Sequence, residues 1–529
     1  MTHKRSSFLV LLMCIFGALC ASAATYTVKV GGGGNYTTLQ ACINAMAAGD
    51  TCMVYAGTYN ETVTISAGAA GNYKTLKVNP GDTVNINGAV SVNSHTKLVG
   101  FRISHASSPA SGPCVSVAGN ATDWFITNNI MQSCGSPMIK ESRNFAGTSY
   151  GYIQGNTLSY ACSTPASPNT CTGMLINGDH HLVENNDISH VSDGITNFGM
   201  YNVFRNNVMH DTYTSECGSN SGNCHIDFIE SEPVADGSDR PSAYNLYEAN
   251  FITKNIGGNA HVFLAQGDAC NSQCRNLIIR FNHAYQVDQV WLLNDLGLYT
   301  HVKNYNNTEV SVNGANGSDF WAGGNVGGAA LNNIYYNNCP SCSTISPYAA
   351  WDGAEANFVS GHNLIYYPSG GPTLIPPIST DAGSVKGQNP KFVNPSSDWH
   401  LQADSPALGA GTALTTITGT SGSGSSITVA DADYFQDGLG LTAVGVQPDW
   451  IRIGASTTVQ IASINYSTRV ITLARPISWT TGSLVYLYKD SAGKTVLSSS
   501  APDLGAFPSG GNNTPLGPPP PTNLVLVVQ

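Results

Sequence analysis

An asparagine recurs at the end of one short apolar segment after another: FITNNIMQ, GYIQGNTLSY, HLVENNDISH, NVFRNNVMHD, NLYEANFITK, NLIIRFNHAY, HVKNYNNTEV, LNNIYYNN and SGHNLIYY. The residues are Asn129, Asn156, Asn186, Asn207, Asn250, Asn282, Asn306, Asn333 and Asn363. Their mean spacing is about 29 residues, which is a solenoid period. A segment of that length cannot bury its own apolar face, whereas stacked copies bury one continuous core. Asparagine tolerates tight-turn backbone, and its amide can bond to the same amide one coil away. The column is therefore expected to be architecture rather than chemistry.

The bulk composition agrees with strands and turns. Only 10% of the 529 residues are charged, and 56 are glycine; the usual charged share is about a quarter. A net charge of −11 disfavours binding to nucleic acid or an anionic membrane through a general basic field. The N-terminus reads as a signal peptide over 1–23. Lys4 and Arg5 precede an apolar run from Phe8 to Leu19, and Ala21-Ser22-Ala23 forms a small-residue cleavage site. That run is too short to span a bilayer. A soluble, secreted, periplasmic or extracellular protein is expected, capable of existing as a monomer.

Export places the cysteines in an oxidising compartment. Beyond the signal they fall into six close pairs: Cys42/Cys52, Cys114/Cys134, Cys162/Cys171, Cys217/Cys224, Cys270/Cys274 and Cys339/Cys342. Local disulfides pinning loops are the favoured reading, although spacing does not prove connectivity. Residues Leu39, Cys42, Ile43 and Met46 follow helical spacing within Thr38–Met46. A short helix there would cap the open end of a coil stack.

The segment GGGGNYTTLQACINAMAAGDTCMVYAGTYNETV resembles the entry of secreted right-handed parallel β-helix proteins of the pectin-lyase-like superfamily. The segment NPKFVNPSSDWHLQADSPALGAG, resumed at APDLGAF, resembles the closing segment of many bacterial members. The resemblance implies an all-β fold, a right-handed parallel β-helix over 24–414 with its closing segment at 490–508. Between them, 415–489 is rich in Thr, Ser, Val and Ile and reads as a small all-β insert. Residues 509–529 read as a Pro/Gly-rich tail. The superfamily includes lyases, hydrolases, epimerases, esterases and adhesins, so the resemblance specifies fold rather than reaction.

Four successive strands can be aligned: VSDGITN, HIDFIES, HVFLAQG and QVWLLND. Placing Ile226, Phe228, Val262, Leu264, Val290 and Leu292 inward leaves one outward column reading Asp193, Asp227, Phe263, Trp291. Its neighbour reads Val191, His225, His261, Gln289. The stretch after Asn207 adds His210, Asp211, Glu216, Glu230 and Glu232, a density of titratable groups unusual in so uncharged a chain.

This pattern suggests a polysaccharide cleft. Trp291 and Phe263 could stack on sugars, and Asp193 with Asp227 could act as acid and base or hold a cation such as Ca²⁺. His225, His261 or His210 beside Asp211 could transfer a proton. A bound cation or Arg205 could neutralise a uronate carboxylate, and His225, Lys254 or Lys140 could take the C5 proton, with Lys254 and Glu230 also contacting substrate. Lyase chemistry is favoured slightly over hydrolysis, because no two hydrolytic carboxylates stand out. The alternative is a non-catalytic glycan-binding or surface protein. The paired aspartates, Gly-His-Gly and Arg-Ile-Lys of polygalacturonase-like enzymes are absent, as is the Trp-Ile-Asp-His of pectate lyases. Of the Asp-Pro-His-Asp of mannuronan epimerases, only His210-Asp211 remains.

Overall fold

The computed structural model describes residues 23–105, 112–142, 149–161, 171–213, 226–232, 241–256, 260–265, 274–293, 299–311, 327–337, 343–345, 358–374 and 379–509. For 255, 260–261, 264–265 and 289–293 the description is of the backbone alone. The expected signal peptide, the tail beyond Ser509 and His225 lie outside the described residues.

Strands of two to six residues stack in parallel into three sheets. Sheet A has 13 strands beginning at Thr25–Val28, sheet B has 13 beginning at Gly57–Tyr59, and sheet C has 9 beginning at Val63–Thr64. From Thr51 to Leu293 each coil runs A, B, C and then returns to A, which makes a parallel β-helix. The helix Leu39–Ala45 caps the first coil, burying Leu39, Cys42 and Ile43. Inward side chains alternate with outward ones along each strand. In sheet C, register places Val90, Val115, Ile139, Met174, Ile195, Ile229 and Phe263 in one column, and these residues are buried in the central core.

The asparagine ladder forms. The amide oxygen of each residue accepts the backbone N–H and the side-chain N–H of its predecessor, through Asn129, Asn156, Asn186, Asn207, Asn250 and Asn282. The ladder then passes to Asn307, not Asn306, before Asn333 and Asn363. Asn306 instead takes the left-handed position just before the ladder residue, with φ 55°, and its amide donates to the Asp503 carbonyl. Asn128, Asn185, Asn206, Ala249, Phe281 and Asn332 occupy the same left-handed position in their coils. For non-glycine residues this conformation costs about 1–2 kcal/mol each; the ladder bonds oppose that cost.

Asn207 makes or accepts five of these bonds, including a donation to the Val183 carbonyl at 2.9 Å. Asn207→Ala is expected to destabilise the protein by about 3 kcal/mol, because it strands buried donors and acceptors in two neighbouring coils. Denaturant unfolding would measure this, and a loss under about 1 kcal/mol would contradict the ladder's energetic role.

Two segments cover the outside. A six-stranded antiparallel sheet spanning Thr415–Lys489 packs on the outer face of sheet A, against Tyr152, Leu182, Val203, Leu246, Ile278 and Tyr305. Arg280, fully buried, grips Asp449 of this insert with both Nη atoms at 2.8 Å and donates from Nε to Glu248 at 2.6 Å. The closing segment packs Phe392, Trp399, Leu504 and Phe507 onto the outer face of sheet B at Val208, Phe251, Val310, Ile334 and Leu364.

His283 lies beneath this closing segment, 4.0 Å from the Trp399 ring and 5.2 Å from Phe251. Its Nε2 has no hydrogen-bond partner. Burial pushes its pKa down to about 3 from 6.5, only partly opposed by the Thr308 carbonyl. The folded state therefore holds the ring neutral, while the unfolded chain binds a proton below about pH 6.5. Stability should fall as pH drops from about 6.5 toward about 3. A comparison of thermal midpoints against pH should show a steeper acid loss in wild type than in His283→Phe; parallel curves would refute the assignment.

The disulfides Cys42–Cys52 and Cys114–Cys134 are formed, and Cys171 and Cys274 are also disulfide-bonded. Cys162, Cys217, Cys224, Cys270, Cys339 and Cys342 lie outside the described residues. No helix among the described residues is long and apolar enough to cross a membrane.

Candidate functional site

The outer faces of sheets A and B carry hydrophobic cover, whereas no described hydrophobic cluster covers sheet C. Its outward column reads Ser91, Ser116, Lys140, Leu175, Thr196 and Glu230 through successive strands. Lys140 is exposed and Glu230 partly so.

Sheet C is entered from sheet B through a corner that puts one residue per coil into the left-handed region: Ser133, Tyr160, His190, Asp211, Lys254 and Gln286. Each is the fourth residue after a ladder asparagine. The backbone ladder continues through the corner, with His190 N–H donating to Asp211 O and Lys254 N–H to Gln286 O. Two clusters of titratable groups meet here.

The first cluster is centred on His210, in the strand Val208–Tyr213. Its Nε2 lies 2.9 Å from Asp187 Oδ1 and its Nδ1 lies 2.7 Å from Asp211 Oδ2. The other oxygen of Asp211 accepts from Tyr213 Oη and Lys254 Nζ, both at 2.9 Å. The bond to Asp187, reinforced by Asp211 against partial burial, raises the His210 pKa. Two carboxylates favour the charged form of an imidazole placed between them, the form that can donate a proton. Asp211 is held well below the ordinary carboxylate range: the bonds from His210, Lys254 and Tyr213 outweigh burial, the largest single influence and one that acts upward. The bond to Asp211 raises the pKa of Lys254, whose ammonium is about half exposed.

The second cluster lies where the chain enters sheet C. Asp193 and Asp227 each stand two residues before the paired residues Ile195 and Ile229, so they are neighbours in successive coils. Both are buried. Asp193 Oδ2 accepts from the hydroxyls of Ser192 and Thr172, both at 3.3 Å. Burial, and then the charge of Asp227, hold the Asp193 carboxyl well above its ordinary range. Glu230, which accepts from the Thr196 hydroxyl at 3.2 Å, is raised by burial and then by Glu232, Asp193 and Asp227. A carboxyl whose pKa is raised by burial and by a neighbouring carboxylate can act as a general acid above the ordinary carboxylate range.

A scan against protein-family models finds no match, and neither does a search of curated proteins. Among solved structures, a PL6-family alginate lyase, AlyGC, is similar at 15% identity and a TM-score of 0.42, over 66% of this chain and 52% of that one. The chain thus spans about half the length of that enzyme. XylC, in complex with xylose, is similar at 12% identity and a TM-score of 0.44, over 87% of this chain and 99% of that one. The pectate lyase Pel9A is similar at 16% identity and a TM-score of 0.41, over 76% of this chain and 94% of that one. The fold is a parallel β-helix.

Several expected site residues take other places in this β-helix. Phe263 is not outward. It pairs with Ile229, is 3% exposed, and packs edge-on against Tyr247 at 5.7 Å within the core. Trp291 pairs with Phe263 in the same register column, and only its backbone is described. The residue paired with Asp227 is His261, followed by Gln289, again as backbone alone. Leu264, expected inward, pairs with outward Glu230.

Arg205 is withdrawn from solvent. It pairs with Glu184 and donates to the Ser491 carbonyl at 3.0 Å beneath the insert, so it cannot neutralise a substrate in this arrangement. The sequence reading passed over Asp187, Tyr213 and Thr196, which hold the site residues in place, and Tyr160 and His190 at the corner. Reading every fourth residue after the ladder asparagines would have found the last two.

Proposed function

We propose that the chain is a secreted carbohydrate-active protein that cleaves an extracellular, acidic polysaccharide across the open face of sheet C. One observation supports this above the rest. Sheet C, which no hydrophobic cluster among the described residues covers, carries the Asp193 and Glu230 carboxyls, both with raised pKa, near the His210–Asp211–Lys254 network. Burying such groups without function is costly.

In this reading Asp193 or Glu230 gives a proton to the leaving oxygen, the Asp227 carboxylate takes the proton removed from the sugar, and His210, Asp211 and Lys254 set the charge of the corner. Lys140, in the same outward column as Glu230, and Lys254 are the cations placed to meet a uronate carboxylate. Elimination is preferred over hydrolysis because these cations can neutralise the acid group beside the proton to be removed. Ca²⁺ remains a proposal for the same role: no three described His, Cys, Asp or Glu side chains form a metal-binding group. A binding protein without turnover is the second reading, favoured by the exposed ring of Tyr160.

The test is a screen of purified protein against acidic and neutral polysaccharides, with Ca²⁺ or EDTA. It would follow both the ultraviolet absorbance of unsaturated uronic ends and the appearance of new reducing ends. Both signals together support elimination, and reducing ends alone move the reading to hydrolysis. Retention on a glycan with neither signal sinks the enzyme reading.

A further inference from the structure

The Tyr160 ring lies flat on His190, with centroids 4.4 Å apart and 5° between the planes, yet it remains 47% exposed. Its backbone is left-handed, φ 59°, a conformation that a bulky side chain disfavours. Burial does not account for placing tyrosine here. The corner from sheet C back to sheet A makes the contrast. There Tyr150, His180, Tyr201 and Tyr244 also stack, at 5.0–5.2 Å, but Tyr466 of the insert closes the stack. Those half-buried rings join the insert to the solenoid. No described residue stacks on the free face of Tyr160.

The coil before Tyr160 explains what that face can accept. Its corner residue is Ser133, whose N–H donates to the Ser159 carbonyl. The column therefore reads small side chain, exposed ring, second ring. Where the next ring of the stack would lie, the serine leaves space, one coil or about 4.8 Å along the axis. His190 is separated from Asp193 by only Val191 and Ser192. The stack thus begins within about 10 Å of the carboxyl cluster.

We infer that the free face of Tyr160, above Ser133, is a stacking platform for one hexopyranose or hexuronate ring of a bound glycan. The ring's C–H face would lie on the tyrosine, and its hydroxyls would face solvent and the corner backbone. Tyr160 is a binding residue, and its role rests on reading the adjoining carboxyl cluster as a glycan-cleaving site.

Three variants test the platform: Tyr160→Ala removes the ring, Tyr160→Phe keeps it, and Ser133→Trp covers the free face of Tyr160 while leaving that residue in place. Circular dichroism and thermal midpoints confirm folding. Binding is read by affinity electrophoresis in gels containing polygalacturonate, alginate or xylan, and kinetics on whichever of them is cleaved. Tyr160→Ala and Ser133→Trp are expected to weaken retention and raise KM by about tenfold, with kcat changed by less than about twofold and Tyr160→Phe close to wild type. Cleavage with unaltered KM in both variants overturns the platform and leaves the cleavage reading intact. Tyr160-dependent retention without cleavage keeps the platform and overturns the cleavage reading. Absence of both retention and cleavage overturns both.

Discussion

Asp193→Asn and Glu230→Gln are each expected to lower the cleavage rate by about 10²–10⁴-fold, the usual share of a general acid or base, while raising thermal stability at neutral pH. The two effects have one cause. Burial and neighbouring carboxylates hold both groups protonated above their ordinary range. Because the folded state binds the extra protons, wild-type stability falls as pH rises from about 4 through the raised pKa values. A neutral amide removes that dependence and the repulsion with Asp227, but it cannot exchange the proton. Wild-type activity should fall as pH rises through the same raised pKa values, as the acid form is lost. Rates and melting curves for the two variants against pH decide the matter. A rate within about threefold of wild type, with stability unchanged, would make the cluster structural.

Arg280→Met is expected to destabilise the protein by about 3–5 kcal/mol, the largest loss from a single change in the architecture described here. The guanidinium joins Glu248 of the solenoid to Asp449 of the insert, and all three side chains are shut away from water. Removing it leaves two carboxylates buried without their counter-charge. Adding Asp449→Asn to Arg280→Met should recover part of the loss, since it removes one stranded charge. Recovery separates electrostatics from packing, because a packing defect would persist or worsen in the double variant. Limited proteolysis should show whether the insert comes away first.

The ladder was readable because it repeats a rare pairing, an asparagine just after a short apolar strand. It misled only at Asn306-Asn307, where both the left-handed position and the ladder position hold asparagine and spacing alone cannot choose between them. The titratable column was harder to read. Asp193 and Asp227 were matched correctly, but the next two strands were set two residues out of register. Phe263 and Trp291 were thereby placed beside the aspartates in place of His261 and Gln289. The facing was inverted as well: Phe263, read as outward, lies in the core, and Leu264, read as inward, pairs with outward Glu230. Arg205 was misread for a different reason. The insert that covers it comes from a stretch more than 200 residues later, and no local pattern announces that contact.

From Val99 and Arg102 to Gly361 and Leu364, the link from sheet A to sheet B is always two residues. Yet the chain takes 21 residues from Asn186 to Asn207 and 43 from Asn207 to Asn250. All of that difference is absorbed at the other two corners and in the strands between them, and both corners border sheet C. The scaffold is therefore hinged like the spine of a ring binder. One edge is fixed at every turn, and pages of any length can be added opposite it. Lengthening the segments that border sheet C, by nature or by design, requires no change to the edge that holds the stack in register.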